Sequence, residues 1–494
     1  MHCQSRLRTI RSLFRCILLA LLLCAAAGSL STAHAQTDMR AEDKMDSQAL
    51  PDFTTLWNFN DPAGTRAKFE EILPQAEASG NTAYLAELLT QVARTYGLQE
   101  MFGEAHATLD RVEGMLSGDG MDKARLRYLL ERGRAFNSSK KPELAQPLFL
   151  EAYELGLTTE FDGLTIDAAH MLGIVTSDDE SLDWNHRALD LAEKTADEKA
   201  ANWKGALYNN MGMTYLDSHQ PQQALELFQK GVEFREAMGH GEQSRMIAHW
   251  TVARALRALG RHPEALEKLA YIADNFPGHS DNGFWYEEMG ENMLATGDME
   301  GAKAQFSTAI PMLEAMGWVG KDYPGRIERL QANIDTGLPL LEIGSQAPDF
   351  TLPNQDGEDV SLAQVLASGP VVLAFYPKDH TGGCTLELAE YNRREGEFEQ
   401  FNARVFGISG DSTESHEEFC AAQGYRLDLL ADTGNEVRTA YGAITGEGRV
   451  GRVSYVIGSD GYISGFCASS SDMQAHAAAA LEILGRITGI GESE

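Results

Sequence analysis

The sequence predicts two architectures in series: an all-α array of helix pairs, then an α/β domain built on a mixed sheet. Three observations predict this. Small residues recur about every 40 positions between 52 and 335. Apolar residues in that region are spaced three and four apart, the period of helices that bury one face. Beyond Thr336-Gly337-Leu338-Pro339 the spacing stops, and short continuous apolar runs alternate with helical stretches. The chain has 494 residues, room for about three domains, and its 43% hydrophobic and 23% charged composition is that of a globular protein.

Asp and Glu number 73 against 41 Lys and Arg, a net charge of -32. Nucleic acid and anionic membrane surfaces need a basic footprint, so neither is expected as a partner. Six cysteines are too few for a disulfide scaffold.

The first elements are targeting elements. Arg6, Arg8, Arg11 and Arg15 stand without an acid and precede the apolar run Ile17 to Ala27, which is followed by small residues ending in Ala33-His34-Ala35. The run is too short to span a bilayer, which takes roughly 20 residues. This pattern predicts a secretory signal peptide over 1–35, cleaved after Ala35. Its loss of four arginines and no acid takes the charge from -32 to -36 and leaves Cys384, Cys420 and Cys467. An Arg-rich leader on an acidic chain reads as bacterial export, with the periplasm or another oxidising extracytoplasmic compartment as the expected location. No other stretch is long and apolar enough to cross a membrane. Residues 36–51 form a polar tail.

The helix pairs come next, over 52–335. The small residues Ala93, Gly133, Gly173, Gly212, Ala253 and Gly290 set the period. Twelve positions beyond five of them stands Ala105, Ala145, Ala224, Ala265 or Ala302, and sixteen beyond stands Leu109, Phe149, Phe228, Leu269 or Phe306. Tyr208, Met211, Gly212 and Tyr215 share one helix face, and the small residue lets a second helix approach it. The pattern resembles the tetratricopeptide repeat, with a period nearer 40 than 34. The third unit departs: Asn185 lies twelve beyond Gly173, and its second helix reads as shifted by about one residue. Such an array is expected to bind a protein or peptide, or else to act as a spacer or dimerisation element. Trp184, Trp203, Trp250 and Trp285 read as packing residues.

The C-terminal elements read as a small hairpin (Asp349 to Leu352 and Val360 to Leu362), a buried strand (Val371 to Tyr376), a charged helix (384–400), a second strand (Arg404 to Ser409) and a helix (Thr413 to Gln423). A short strand at Leu429 to Ala431, a helix at Asn435 to Tyr441, a hairpin of Val453 to Ile457 with Tyr462 to Phe466, and a helix over Asp472 to Ile487 complete it. Parallel strands with crossover helices followed by an antiparallel hairpin make a thioredoxin-like sandwich.

Chemistry centres on Cys384. The chain leaves a buried strand through Phe375-Tyr376-Pro377-Lys378-Asp379-His380-Thr381-Gly382-Gly383 and enters a helix at the cysteine. Unpaired amides and the helix dipole there favour thiolate, the nucleophilic form. Thr381 is three residues upstream, and Pro377 fixes the turn. This Pro-x3-Thr-x2-Cys constellation resembles the peroxidatic site of peroxiredoxins. The flanks agree: Ala347-Pro348-Asp349-Phe350, Gly407-Ile408-Ser409-Gly410-Asp411-Ser412, and Gly451-Arg452-Val453-Ser454-Tyr455-Val456-Ile457. Over about 342–490 the chain is most similar to the Q-type, or bacterioferritin-comigratory, branch.

The resemblance implies reduction of hydrogen peroxide or organic hydroperoxides through a Cys384 sulfenic acid. Thr381, the Cys384 amide and Arg452 would bind the peroxide oxygens, Arg452 would favour the thiolate, and Glu387 falls where the family often has an acid orienting that arginine. It also implies a thioredoxin-like reductant and neither a metal nor an organic cofactor. Two positions depart. Gly382 stands where many relatives have proline, and Ala389 where many have a resolving cysteine. Cys420, 36 residues after Cys384, matches the alternative resolving position of a subset, or else is a structural thiol. Cys467 reads as core, His380 as a loop residue and His416 as a helix-surface residue. A thiol–disulfide oxidoreductase would need Cys-x-x-Cys, and Thr381 and Glu387 occupy those positions. A repeat scaffold carrying a redox-sensing domain of little turnover is the other alternative.

Overall fold

The computed structural model describes residues 50–445 and 447–489; the signal peptide expected over 1–35 and most of the expected polar tail lie outside the described residues. Among them no helix is long and apolar enough to cross a membrane. The chain divides into two compact units, residues 1–259 and 260–494.

The first unit is a succession of antiparallel helix pairs, among them Thr82–Leu98 with Phe102–Glu113, Asp122–Ser138 with Pro142–Gly156, and Trp203–Asp217 with Pro221–Ala237. Where the small residue is glycine and an aromatic stands opposite, it has a direct packing reason. A Cβ on Gly133 would fall 2.4 Å from the Phe149 ring, and one on Gly212 would fall 2.3 Å from the Phe228 ring. The helices therefore close onto an aromatic that only a missing side chain admits. The turn is equally repetitive. Glu100, Lys140 and His219, each seven residues after the small residue, have φ of 58°, 65° and 55°, in the left-handed region. Gly260 and Gly297 stand seven residues after Ala253 and Gly290, with φ of 69° and 91°. Three units thus hold a side chain where glycine costs less.

The third pair corrects the expected one-residue shift. Its first helix, Asp162–Val175, ends two residues after Gly173 instead of five, and its second, Asp178–Lys194, starts after a two-residue turn. The displacement is four residues, a full helical turn. Asn185 consequently takes the aromatic's place, with its Nδ2 2.6 Å from a Cβ on Gly173. Ser181 takes the place of the alanine and donates to the Gly173 carbonyl at 2.5 Å.

In the second unit, helices Gly283–Ala295, Met299–Ala315 and Pro324–Thr336 repeat the packing, with Phe306 filling the space over Gly290. They lead into a five-stranded sheet of order β5-β4-β3-β6-β7. Here β3 is Val371–Phe375, β4 Arg404–Ser409, β5 Asp428–Ala431, β6 Val453–Ile457 and β7 Ile463–Ala468. β3, β4 and β5 run parallel, while β6 and β7 are antiparallel. A separate hairpin pairs β1 (Thr351–Pro353) with β2 (Asp359–Ser361). Alternate residues of β3 serve two cores: Val372 and Ala374 meet the helix Ala475–Thr488, whereas Val371, Leu373 and Phe375 meet Tyr441, Tyr455 and Leu340.

The connection from helices to sheet is a packed element. Helix Pro324–Thr336 ends on Gly337, at φ 69°. Leu338 and Leu340 are buried in the sheet core. The Leu341 amide donates to Tyr455 Oη at 3.0 Å, and Tyr455 Oη donates to the Tyr441 carbonyl at 2.9 Å. Gly442, at φ 63°, lets the Pro339 carbonyl pass 2.0 Å from where a Cβ would stand. On the helical side, buried Arg329 binds Glu287 at 3.0 Å, Glu291, and the Leu340 carbonyl at 3.4 Å.

Two outcomes are expected. His219→Gly should stabilise the array by about 0.5–1 kcal/mol by removing the left-handed penalty, whereas Gly212→Ala should cost about 1–3 kcal/mol by overpacking; urea midpoints of opposite displacement check this. A fragment beginning at Glu342 should melt well below one beginning at Gly260, because it lacks two buried leucines worth about 2 kcal/mol or more each; equal melting midpoints would contradict it.

Candidate active site

The site begins at the end of β3, the central strand, whose five residues are all buried. The chain leaves at Tyr376, whose amide donates to the Ile408 carbonyl at 3.1 Å. Pro377 is half-buried and turns the chain into a loop pinned by Asp379. The Asp379 carboxylate is buried and accepts from Tyr376 Oη at 2.7 Å and Ser415 Oγ at 2.7 Å, with His416 Nδ1 at 2.8 Å. Burial alone would raise it, but His416, Tyr376 and Ser415 together hold it below the usual carboxylate range. His416 is thus fully buried under the active-site loop, not on the helix surface as its sequence setting suggested, because its ring anchors Asp379. His380 is exposed in the loop at φ 55°, its ring 4.7 Å from that of Phe419.

Thr381 is extended and forms the N-cap of helix Gly382–Arg393; its hydroxyl donates to the Lys378 carbonyl at 3.0 Å. The first helical hydrogen bond is donated by Thr385, so the Gly383 and Cys384 amides lie ahead of the helical ladder. Cys384 is 1% exposed and packs with Tyr376, Leu388, Phe419, Cys420 and Leu429.

Arg452, immediately before β6, reaches this thiol. Its Nη2 lies 3.4 Å from Cys384 Sγ, and its Nη1 donates to Glu387 Oε2. Burial opposes a charged guanidinium, but Glu387 and Cys384 outweigh it and hold Arg452 above its ordinary value. Glu387 is fully buried one turn after Cys384, and burial pushes its carboxyl up to about 7 against the pull of Arg452. Gly383 makes room: a Cβ there would be 3.2 Å from Arg452 Nη2 and 3.6 Å from Met473 Cε. Gly382 opens onto empty space, so a side chain there meets nothing within 4 Å.

The structure therefore brings Cys384, Arg452 and Glu387 into one contact, with Thr381 and Pro377 on the same loop. Cys420 shares the apolar cluster of Cys384, on helix Thr413–Gln423. Burial, followed by the charges of Asp379, Asp428 and Asp356, pushes the Cys420 thiol up to about 11. Cys467, on β7 opposite Ser454, is likewise pushed by burial to about 11. All three cysteines are free thiols. Among the described residues no cluster of three or more His, Cys, Asp or Glu side chains is placed to hold a metal ion.

Sequence reasoning missed two groups behind Arg452. His476 Nδ1 lies 3.0 Å from Ser454 Oγ and 3.5 Å from Glu387 Oε1. A lone histidine in the alanine-rich stretch 475–480 was the only available signal, and it carries no distance to Glu387.

The family model described as AhpC/TSA matches residues 343–465. Over 154 residues the chain is 38% identical to a Helicobacter pylori (strain J99) protein that carries the peroxiredoxin bcp name, covering 30% of this chain and all of that one. It is 38% identical over 144 residues to the chloroplastic peroxiredoxin Q of Oryza sativa subsp. japonica, covering 28% of this chain and 65% of that protein. Among solved structures, peroxidoxin BcpB from Mycobacterium tuberculosis aligns with 34% identity and a TM-score of 0.28, covering 29% of this chain and 97% of that one.

Arg452→Met should slow alkylation of Cys384 by iodoacetamide and its oxidation by hydrogen peroxide by about 10²-fold, with the circular dichroism unchanged. A rate within twofold of the parent would remove Arg452 from the chemistry.

Proposed function

This chain belongs to the AhpC/TSA peroxiredoxin family, and on that premise we propose that Cys384 is its peroxidatic residue and Cys420 its resolving residue. The observation that carries the first assignment is the Arg452 guanidinium 3.4 Å from Cys384 Sγ in the open first turn of a helix. The guanidinium and the unpaired amides of that first turn both aim N–H donors at the place where a peroxide oxygen would sit.

The thiolate attacks one oxygen of the hydroperoxide. An S–O bond forms, the O–O bond breaks, sulfur is oxidised to sulfenic acid, and the leaving hydroxide or alkoxide takes a proton from solvent to give water or an alcohol. Arg452 and the Cys384 amide donate to the oxygens on which charge develops. Thr381 Oγ, whose hydrogen is engaged by the Lys378 carbonyl, accepts from the peroxide hydroxyl. Pro377 shields the thiolate from water, and Glu387 orients Arg452.

Cys420 then condenses with the sulfenic acid, giving a disulfide and water. Its thiol is buried and protonated at neutral pH, so resolution follows local opening of helix Thr413–Gln423, which exposes it. Two thiols of a thioredoxin-like reductant return the disulfide to the dithiol state. The helix-pair array, whose first units share a core between Leu73 and Trp184, serves as a docking module for a protein or peptide. The Arg-rich leader followed by Ala33-His34-Ala35 supports export to the bacterial periplasm.

One equivalent of hydrogen peroxide on the reduced protein should remove two hydrogens and yield a Cys384–Cys420 linked peptide by mass spectrometry, absent in Cys384→Ser. Cys420→Ser should stop at a sulfenic or sulfinic mark on Cys384. That mark alone in the parent protein would remove the role of Cys420, and no Cys384-dependent change would leave a scaffold or sensor as the better reading.

A further inference from the structure

The Glu387 carboxyl has one oxygen accounted for and one not. Oε2 accepts from Arg452. Oε1 is buried without a hydrogen-bond partner and faces His476 Nδ1 across 3.5 Å. His476 is itself fully buried, and its other nitrogen, Nε2, lies 3.0 Å from the Ser469 carbonyl. A carbonyl only accepts, so Nε2 carries the ring hydrogen. In the neutral ring Nδ1 is then a lone pair, and Ser454 Oγ, 3.0 Å away, donates to it. Oε1 thus meets a lone pair in dry interior, an arrangement that is unfavourable unless a proton joins the two atoms.

We propose that Glu387 and His476 hold one proton between Oε1 and Nδ1, and that His476 is through this proton a positioning residue for Arg452 at the Cys384 thiol. The inference rests on the peroxidatic assignment of Cys384. With the proton in place Glu387 is a neutral acid that donates to Nδ1, and its hold on Arg452 is that of a hydrogen bond. Without it Glu387 is a carboxylate, and the full ion pair fixes the guanidinium against Sγ.

The surroundings say where the proton resides. Burial pushes Glu387 up to about 7, and burial together with the Arg452 charge pushes His476 down to about 4. Between those values the proton belongs to Glu387. The groups facing the pair are Arg452 and Ser454 beside and on β6, Cys384 and Tyr391 on the helix of Glu387, Cys467 on β7, and Asp472 in the loop that follows. Arg452 is the one cation among them, and it already has Glu387 and Cys384. The sign follows: Glu387 is neutral below its transition and charged above it, so the grip on Arg452 tightens as pH rises through about 7.

Difference infrared spectra of the full chain between pH 6 and pH 8 test this. A carboxylic-acid C=O band should vanish as pH rises, with a matching second transition in the rate of Cys384 alkylation by iodoacetamide. Glu387→Gln should abolish both. His476→Gln replaces an acceptor with an amide that can donate to Oε1, so the midpoint should fall by about one unit. Ser454→Ala removes the competing donor from Nδ1 with little change in volume, so the midpoint should rise. A midpoint unmoved in both His476→Gln and Ser454→Ala, or no acid band in the parent, overturns the proposal. If the band and alkylation behave as stated but hydrogen peroxide leaves Cys384 unchanged, the peroxidase reading fails and the shared proton stands.

Discussion

A guanidinium keeps its charge even when buried beside a thiol, so burying it is costly unless an acidic partner accompanies it into the interior. Arg452 is 8% exposed, and the domain is arranged around keeping it paired. Glu387 comes from the helix of Cys384, one turn along, so the same element that presents the thiol presents the counter-charge. Gly383 leaves the space through which the guanidinium reaches sulfur. β6 holds Arg452 in register, because it is hydrogen-bonded to β3 on one side and β7 on the other. Ser454 and His476 close the far side of Glu387.

The same burial gives three cysteines two characters. Cys384 has a cation within hydrogen-bonding distance. Cys420 and Cys467 have desolvation and nearby carboxylates, both of which favour the protonated thiol. Reactivity is therefore assigned by neighbours, since all three lie in one small domain. Helix Thr413–Gln423 is held on one flank by the His416–Asp379 contact, and the Tyr425 hydroxyl just beyond its end donates to the Thr385 carbonyl at 2.9 Å. These bonds place Cys420 in the Cys384 cluster and also set the cost of releasing it.

The helical region obeys a different rule, in which shape decides. Its glycine–aromatic contacts at Gly133, Gly212 and Gly290 recur because each lets two helices close onto a ring, and left-handed turn residues follow the same three glycines. In the second unit this rule meets the sheet directly. Leu338 and Leu340 enter the sheet core while Arg329 holds the Leu340 carbonyl from the helical side, so that the last helices and the sheet share one chain segment as common structure.

Much of this was legible in the residues themselves. Strands Arg404–Ser409 and Val453–Ile457 and helix Thr413–Gln423 fall where continuous apolar runs and helical spacing put them, because burial on both faces of a sheet leaves an unbroken hydrophobic signature. The Cys384 turn was legible because helix entry, proline and threonine are local in sequence. The four-residue shift of the third helix pair was not, since Ser181 and Asn185 declare themselves only when the helices are seen to meet. For the same reason His416 read as a helix-surface residue and His476 drew no reading of its own. A side chain's period fixes which face it occupies, but its partner, 37 residues away for His416 and Asp379, is chosen by how elements pack. Sequence alone determined the helix-pair array, the α/β domain and the thiol at a helix start. The tertiary structure decided which charge stands beside that thiol and which buried groups stand behind that charge, because desolvation and pairing depend on distance through space.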